Sequence, residues 1–167
     1  MQAVSQIPNQ RDKNIGQVLT MYSWNIASLA RNGVALNEYI RGTDILCIQE
    51  TWSPSSIPLR GFYNITISAK KHNICGRHSG GLASYINHRS GLQASNLTVE
   101  TTLLQAVRLH NLVVGNKLLQ CILINCYLHG SGQEKMTAVR NFNAILEEIF
   151  QQYPDHEFII AGDFNIR

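Results

Sequence analysis

K-L-L-Q-C-I-L-I-N-C-Y (117–127) leads into S-G-Q-E-K-M-T-A-V-R-N-F-N-A-I-L-E-E-I-F-Q-Q (131–152) and then E-F-I-I-A (157–161), and this stretch decides the fold. The first piece is an apolar strand. Gly115-Asn116 just before it is a turn pair suited to positive φ, so Thr102–Val114 and Lys117–Tyr127 read as a hairpin. Ser131-Gly132-Gln133-Glu134 matches a capping box. Met136, Val139, Phe142, Ile145, Leu146, Ile149 and Phe150 then recur at helical spacing, which predicts a long helix with a core-facing stripe. Pro154 stops it at about Gln152, and Glu157–Ala161 is a buried strand ending at Gly162.

Upstream, Val18–Trp24, Asp44–Gln49, Tyr63–Ser68 and Leu82–Ile86 read as strands, with a short helix over Gly33–Ile40. Thr51–Pro58 and Lys70–Ser79 read as loops. Hairpins and crossovers both occur, which predicts a layered α/β fold with mixed sheets rather than a purely parallel one.

A chain of 167 residues, 44% of them hydrophobic, suits one domain with a sizeable core. Its apolar runs fall far below the roughly 18 residues of a membrane span. Met1–Gln17 is polar, contains Pro8, Asn9 and Asp12, and has no apolar signal region. It reads as a flexible leader to a domain over 18–167, on a protein that is not secreted. Of the four cysteines, Cys47, Cys121 and Cys126 lie in apolar strands and read as small core residues. That usage fits a reducing compartment, nucleus or cytosol. The six histidines show no zinc-ligand spacing.

The net charge of +3 decides little, but its distribution is one-sided. No acidic residue lies between Glu50 and Glu100, while Arg60, Lys70, Lys71, Arg77 and Arg89 all do. Such a segment is either a solvated loop surface or a face for an anionic partner such as a nucleic-acid backbone.

Three polar groups sit where apolar strands end: Ser23-Trp24-Asn25, Gln49-Glu50-Thr51 and Gly162-Asp163-Phe164-Asn165. Asp163 and Asn165 either point into one cleft, as a carboxylate and an amide facing a phosphoryl group, or satisfy a local Asx-type turn. Glu50 is either an oxygen ligand for Mg²⁺ or a turn cap. Tyr127 ends its strand where a phenol reaches a phosphate or caps the core.

Taken in order, S-W-N (23–25), I-Q-E-T-W (48–52), S-G-G-L-A (79–83), N-C-Y (125–127) and G-D-F-N (162–165) resemble the endonuclease/exonuclease/phosphatase superfamily from about Leu19 to Ile166. The wording is most similar to the apurinic-type endonuclease domain of non-LTR retrotransposons. The resemblance implies a four-layer α/β sandwich and Mg²⁺-dependent phosphodiester hydrolysis on DNA, with Mn²⁺ as the alternative ion. It places Asn25 and Glu50 at the metal, Tyr127 on the scissile phosphate, Asp163 on the attacking water and Asn165 on the transition-state charge. Arg60, Lys70, Lys71, Arg77 and Arg89 become the expected nucleic-acid contacts. The match departs at His129, where the family usually has proline. It also implies a later Ser-Asp-His-type motif beyond Arg167, so the expectation is an incomplete domain with its C-terminal portion missing. Two other readings stay open: a catalytically silent truncated remnant or nucleic-acid-binding piece, and a phosphoinositide- or sphingomyelin-cleaving branch of the same superfamily.

Overall fold

Side chains on a strand alternate between its two faces, so a strand buried on both sides serves two different cores. The computed structural model describes residues 18–71, 76–99 and 101–165. The leader expected over 1–17 therefore lies outside the described residues, as do Cys75 and the tip of the basic stretch.

The first sheet holds β1 (Met21–Asn25), β2 (Ile45–Gln49), β3 (Phe62–Ile67) and β6 (Leu82–Asn87), in the order β1-β2-β6-β3. β1 and β2 are parallel, and β6 runs antiparallel to both β2 and β3. The second sheet holds β7 (Gln93–Leu97), β8 (Leu104–Val114), β9 (Lys117–Tyr127) and β10 (Glu157–Asp163), in the order β10-β9-β8-β7. Its β8–β9 pair is the expected hairpin, and β10 is parallel to β9 across α2 (Gly132–Gln152). A short ribbon pairs β4 (Lys70–Lys71) with β5 (His78–Ser79).

Three apolar clusters stack these parts into four layers. Leu29 and Leu36 of α1 (Leu29–Tyr39) pack on Leu46, Ile48, Ala83 and Tyr85 of the first sheet. Ile45, Cys47 and Ile86 face Val107, Leu109, Cys121, Leu123 and Ala161 across the middle. Ile122, Ile124 and Ala106 meet Phe142, Leu146 and Ile149 of α2. Truncating any one of these Leu, Ile or Phe side chains costs about 2–5 kcal/mol, so each layer is fastened by several such contacts. The layered sandwich with mixed sheets stands as expected.

Several boundaries differ from the sequence expectation. The first helix begins at Leu29, not Gly33: Ser28 caps it by accepting from the Arg31 N–H at 3.4 Å, and Leu29 is buried with Leu36 one heptad on. The first strand begins at Met21 rather than Val18, and the last runs on through Gly162 to Asp163. Lys70–Ser79 is no mere loop, since its two ends form the β4–β5 ribbon. Gln93–Leu97 is a strand that periodicity missed because an edge position tolerates its polar Gln-Ala-Ser-Asn run. Ser131 does cap α2, but its side chain makes no capping bond; the Glu134 N–H goes to the Ser131 carbonyl instead, at 3.2 Å. Met136 and Phe150, expected in the core stripe, are partly exposed, with Phe150 set against Phe158 on the sheet edge.

β1 and β10 end their sheets on the same side of the sandwich, and Tyr22 and Ile160 are exposed there. No helix among the described residues is long and apolar enough to cross a membrane.

Candidate active site

The inner layer changes character along its length. At one end the facing positions are apolar: Met21, Ile45, Ile86, Leu109 and Cys121. Two to four residues further along, the same faces carry Gln49, Ser84, Gln105 and Asn125, all buried. Beyond these come Asn25, Tyr127 and Asp163, in register as Asn25↔Gln49 and Asp163↔Tyr127. Two-residue alternation alone puts 21, 23 and 25 on one face, as it does 121, 123, 125 and 127, and 159, 161 and 163. The site is thus the polar end of the inter-sheet core.

The buried polar residues tie the two sheets together. Asn125 Nδ2 donates to the Ile48 carbonyl at 3.2 Å and the Ala83 carbonyl at 3.1 Å, bridging a directly opposed β2–β6 pair. Its Oδ1 accepts from Gln49 Nε2 at 2.7 Å, and Gln49 also donates to Ser23 Oγ at 3.0 Å. Ser84 Oγ donates to Gln105 Oε1 at 2.6 Å. Gln49 and Asn125 stand next to Glu50 and two residues before Tyr127, so these bonds hold the site residues at a set separation. Sequence reading gave none of the four a role. The available signal was a polar residue on the inward-facing register of each of four largely apolar strands.

Asp163 is held from two sides. Asn25 Nδ2 donates to its Oδ2 at 2.8 Å, and the Asn165 backbone N–H donates to its Oδ1 at 3.0 Å. Asn165 turns back, giving its side-chain N–H to the Leu128 carbonyl at 2.9 Å, while the Leu128 N–H donates to the Asp163 carbonyl at 3.0 Å. Lys135, which sequence reading passed over, donates from Nζ to the Asn165 carbonyl. The Tyr127 hydroxyl donates to Glu50 Oε1. Burial, that bond and the charges of Glu50 and Asp163 push the Tyr127 phenol well above its ordinary value, so it stays a protonated donor. Asp163 therefore serves the local Asx turn and also reaches across to Asn25.

Backbone strain collects here. Glu50 (φ 53°) and Asn165 (φ 48°) are left-handed, as are Ala27 and Trp52 beside the same loops. A non-glycine residue in that region costs about 1–2 kcal/mol, and the surrounding bonds maintain it. Ser28 and Leu29 N–H groups donate to the Glu50 and Thr51 carbonyls at 2.8 Å each. Glycine is required where chains touch: a Cβ on Gly162 would lie 2.0 Å from the Cys126 carbonyl oxygen, and one on Gly81 2.3 Å from Thr51 Oγ1.

A hollow of about 310 Å³ opens beside Glu50 and Tyr127, with Lys70, Gly80, Gly81 and His129 on its wall. Of the expected nucleic-acid contacts, Lys70 lines this hollow, Lys71 belongs to the adjoining ribbon, and Arg77 directly precedes its second strand. Arg60 and Arg89 do not join them. They flank the Phe62↔Asn87 end of the first sheet, whereas Gln49↔Leu82 marks the site end, roughly 17 Å away along β6. The acid-free stretch is continuous in sequence but divided between two ends of a sheet.

The donors gathered here are oxygens: the Glu50 and Asp163 carboxylates and the Asn25 amide. Among the described residues no group of three His, Cys, Asp or Glu could hold a metal. A set this sparse and hard does not suit zinc. It fits Mg²⁺, which keeps several waters and takes one or two carboxylates.

A layered sandwich whose polar strand ends converge in this way is a phosphodiesterase/nuclease fold. The chain belongs to the Endonuclease/Exonuclease/phosphatase family, whose sequence profile matches residues 22–167. No curated protein sequence matches it. Among solved structures it resembles the 3′ phosphatase NExo from Neisseria bound to a product DNA hairpin, with TM-score 0.62 at 16% identity over 89% of this chain and 58% of that one. The human Nocturnin catalytic domain with a bound sulfate anion gives 0.62 at 17%, over 89% of this chain and 64% of that one. The Xenopus laevis APE2 catalytic domain gives 0.61 at 21%, over 87% and 58%. At these identities the likeness establishes the fold, and the chain spans about 58–64% of the length of these three neighbours.

Proposed function

We propose that this chain carries the Mg²⁺-dependent phosphodiester-hydrolysing site of a DNA endonuclease of the retrotransposon type. The observation that carries the reading is the meeting of Asn25, Glu50, Tyr127, Asp163 and Asn165 at one end of two packed sheets. The Q-E-T-W and S-G-G-L-A wording supports the retrotransposon branch. Lys70 on the wall of the hollow, with Lys71 next to it and Arg77 just before the paired strand, supports an anionic polymer as substrate. Mn²⁺ suits the same oxygen donors.

Glu50 and Asn25 would hold the ion, which when bound polarises a phosphoryl oxygen and offsets charge developing on it. Asp163 spends one acceptor site on Asn25 and one on the Asn165 backbone. A carboxylate has about four such sites, so it can still accept from an attacking water and orient it. Tyr127, kept protonated, donates its O–H to a phosphoryl oxygen in exchange for Glu50. Asn165 has a second amide N–H to offer the transition-state charge.

Conversion of supercoiled plasmid to open circles in the presence of Mg²⁺ tests this reading. Asp163→Ala is expected to lower the nicking rate by about 100-fold or more, the scale for one catalytic electrostatic group. Undiminished nicking by that variant removes Asp163 from its role. The dependence of duplex affinity on salt separates DNA from a lipid headgroup, since each neutralised phosphate adds about 0.9 to the log–log slope. A flat slope, with cleavage of phosphoinositide instead, overturns the DNA assignment.

A further inference from the structure

His129 lies where three hollows meet. It shares the hollow of about 310 Å³ with Glu50, Tyr127 and Lys70. It lines a second, of about 400 Å³, with Tyr127, Lys135 and Asn165. A third, shallower one, of about 520 Å³, holds Lys70 and Glu134. The imidazole is exposed, so the core gains little from it.

Its placement is nonetheless well determined. The preceding residue is clamped on both sides: the Leu128 N–H goes to the Asp163 carbonyl at 3.0 Å, and the Leu128 carbonyl takes the Asn165 amide at 2.9 Å. The ring lies nearly parallel to that of Tyr127, with centroids 5.6 Å apart and an interplanar angle of 19°. The offset stack sets Tyr127 against one face of the imidazole, and the residue as a whole is exposed to solvent. An aromatic donor held this way is pre-organised, so little side-chain entropy is lost when it binds.

We propose that His129 forms a phosphate subsite with Lys70, gripping the phosphodiester next to the one at Glu50 and Tyr127. The assignment rests on the nuclease reading for the identity of the substrate. The ring edge donates an N–H to a non-bridging oxygen, and Lys70 supplies charge from the opposite wall. The carboxylates on the same walls are Glu50 in the first hollow and Glu134 in the third. With one ring face taken by Tyr127, an oxygen acceptor suits the free edge better than a nucleobase suits the remaining face.

The test uses the full chain in EDTA, which prevents turnover. Histidine ring ¹H–¹⁵N correlations are followed while inorganic phosphate, and separately a 12-base-pair DNA duplex, is added, with H129F assigning the signals. The His129 signals are expected to move saturably with both. H129F keeps a ring to stack on Tyr127 but has no N–H, and is expected to weaken duplex binding about 5- to 10-fold, the scale of one ordinary hydrogen bond lost. H129Q, which restores a donor, is expected to recover part of that loss. His129 signals that ignore both probes overturn the proposal, as does an H129F chain that binds duplex like the parent. A phosphate response at His129 without plasmid nicking leaves the subsite standing and removes the nuclease reading. Nicking with a silent His129 does the reverse.

Discussion

Replacing Asn125 with alanine removes the pin that joins the second sheet to two strands of the first. The side chain is fully buried. Its loss leaves the Gln49 amide without its 2.7 Å acceptor and the Ile48 and Ala83 carbonyls without a shared donor. Each buried group left unsatisfied costs about 1–3 kcal/mol. Gln49 keeps Ser23, and the carbonyls lie within a sheet, so the lower part of that range applies to each of the three. The expected loss is about 3–5 kcal/mol, against a total stability of about 5–15 kcal/mol. For a chain of this length that lowers Tm by roughly 6–20 °C, at about 2–4 °C per kcal/mol. Urea titration followed by tryptophan fluorescence measures the loss. Asn116→Ala, at the exposed hairpin turn, is the control and should stay within about 0.5 kcal/mol of the parent. Gln49→Ala and the double variant complete a cycle, in which a shared bond makes the two losses fall short of their sum. An N125A loss below about 1 kcal/mol, or strict additivity with Gln49, refutes the reasoning that this network sets the sheet separation.

Four further outcomes follow from the same geometry. Gly162→Ala places a methyl group 2.0 Å from the Cys126 carbonyl oxygen, so a loss of about 3 kcal/mol or more is expected; a Tm within 3 °C of the parent, roughly 1 kcal/mol, would show that the strands part easily there. Burial pushes the thiols of Cys47 and Cys126 up to about 12 and that of Cys121 to about 11, from 9.0. Unfolded thiols ionise first, so stability is full below pH 9 and falls as pH rises through 11–12; urea midpoints that hold steady from pH 8.5 to 10.5 contradict this. The same burial should protect these three from a thiol reagent at pH 8 until urea is added. The adjacent β1 and β10 edges, with Tyr22 and Ile160 exposed, should promote self-association. Tyr22→Lys with Ile160→Lys should shift sedimentation toward monomer, and an unchanged distribution removes these edges as its cause.

The elements themselves were largely legible because their signals are local. The hairpin at Gly115-Asn116, the stripe from Val139 to Ile149 and the four apolar strands that end near the site needed only periodicity and turn chemistry. The family motifs were legible for a related reason: strand-end residues such as Glu50, Tyr127 and Asp163 sit at fixed offsets from apolar runs, and the chain records those offsets directly. Helix onset at Leu29 and the polar strand Gln93–Leu97 escaped, because both are settled by what packs against them.

Sequence alone therefore determined the layered class, the order of the motifs and the chemical types gathered at the strand ends, since alternation and local propensity act over a few residues. Tertiary structure decided the rest. Pairing β1 with β2 and β10 with β9, and packing the two sheets face to face, brought Asn25 to Asp163 and Tyr127 to Glu50, across 138 and 77 residues of chain. It joined four scattered polar residues into one buried network, split the basic stretch between two ends of a sheet, and set His129 against Tyr127. Those relations depend on which faces meet and in what register, and register is a property of packed pairs of strands rather than of any one segment.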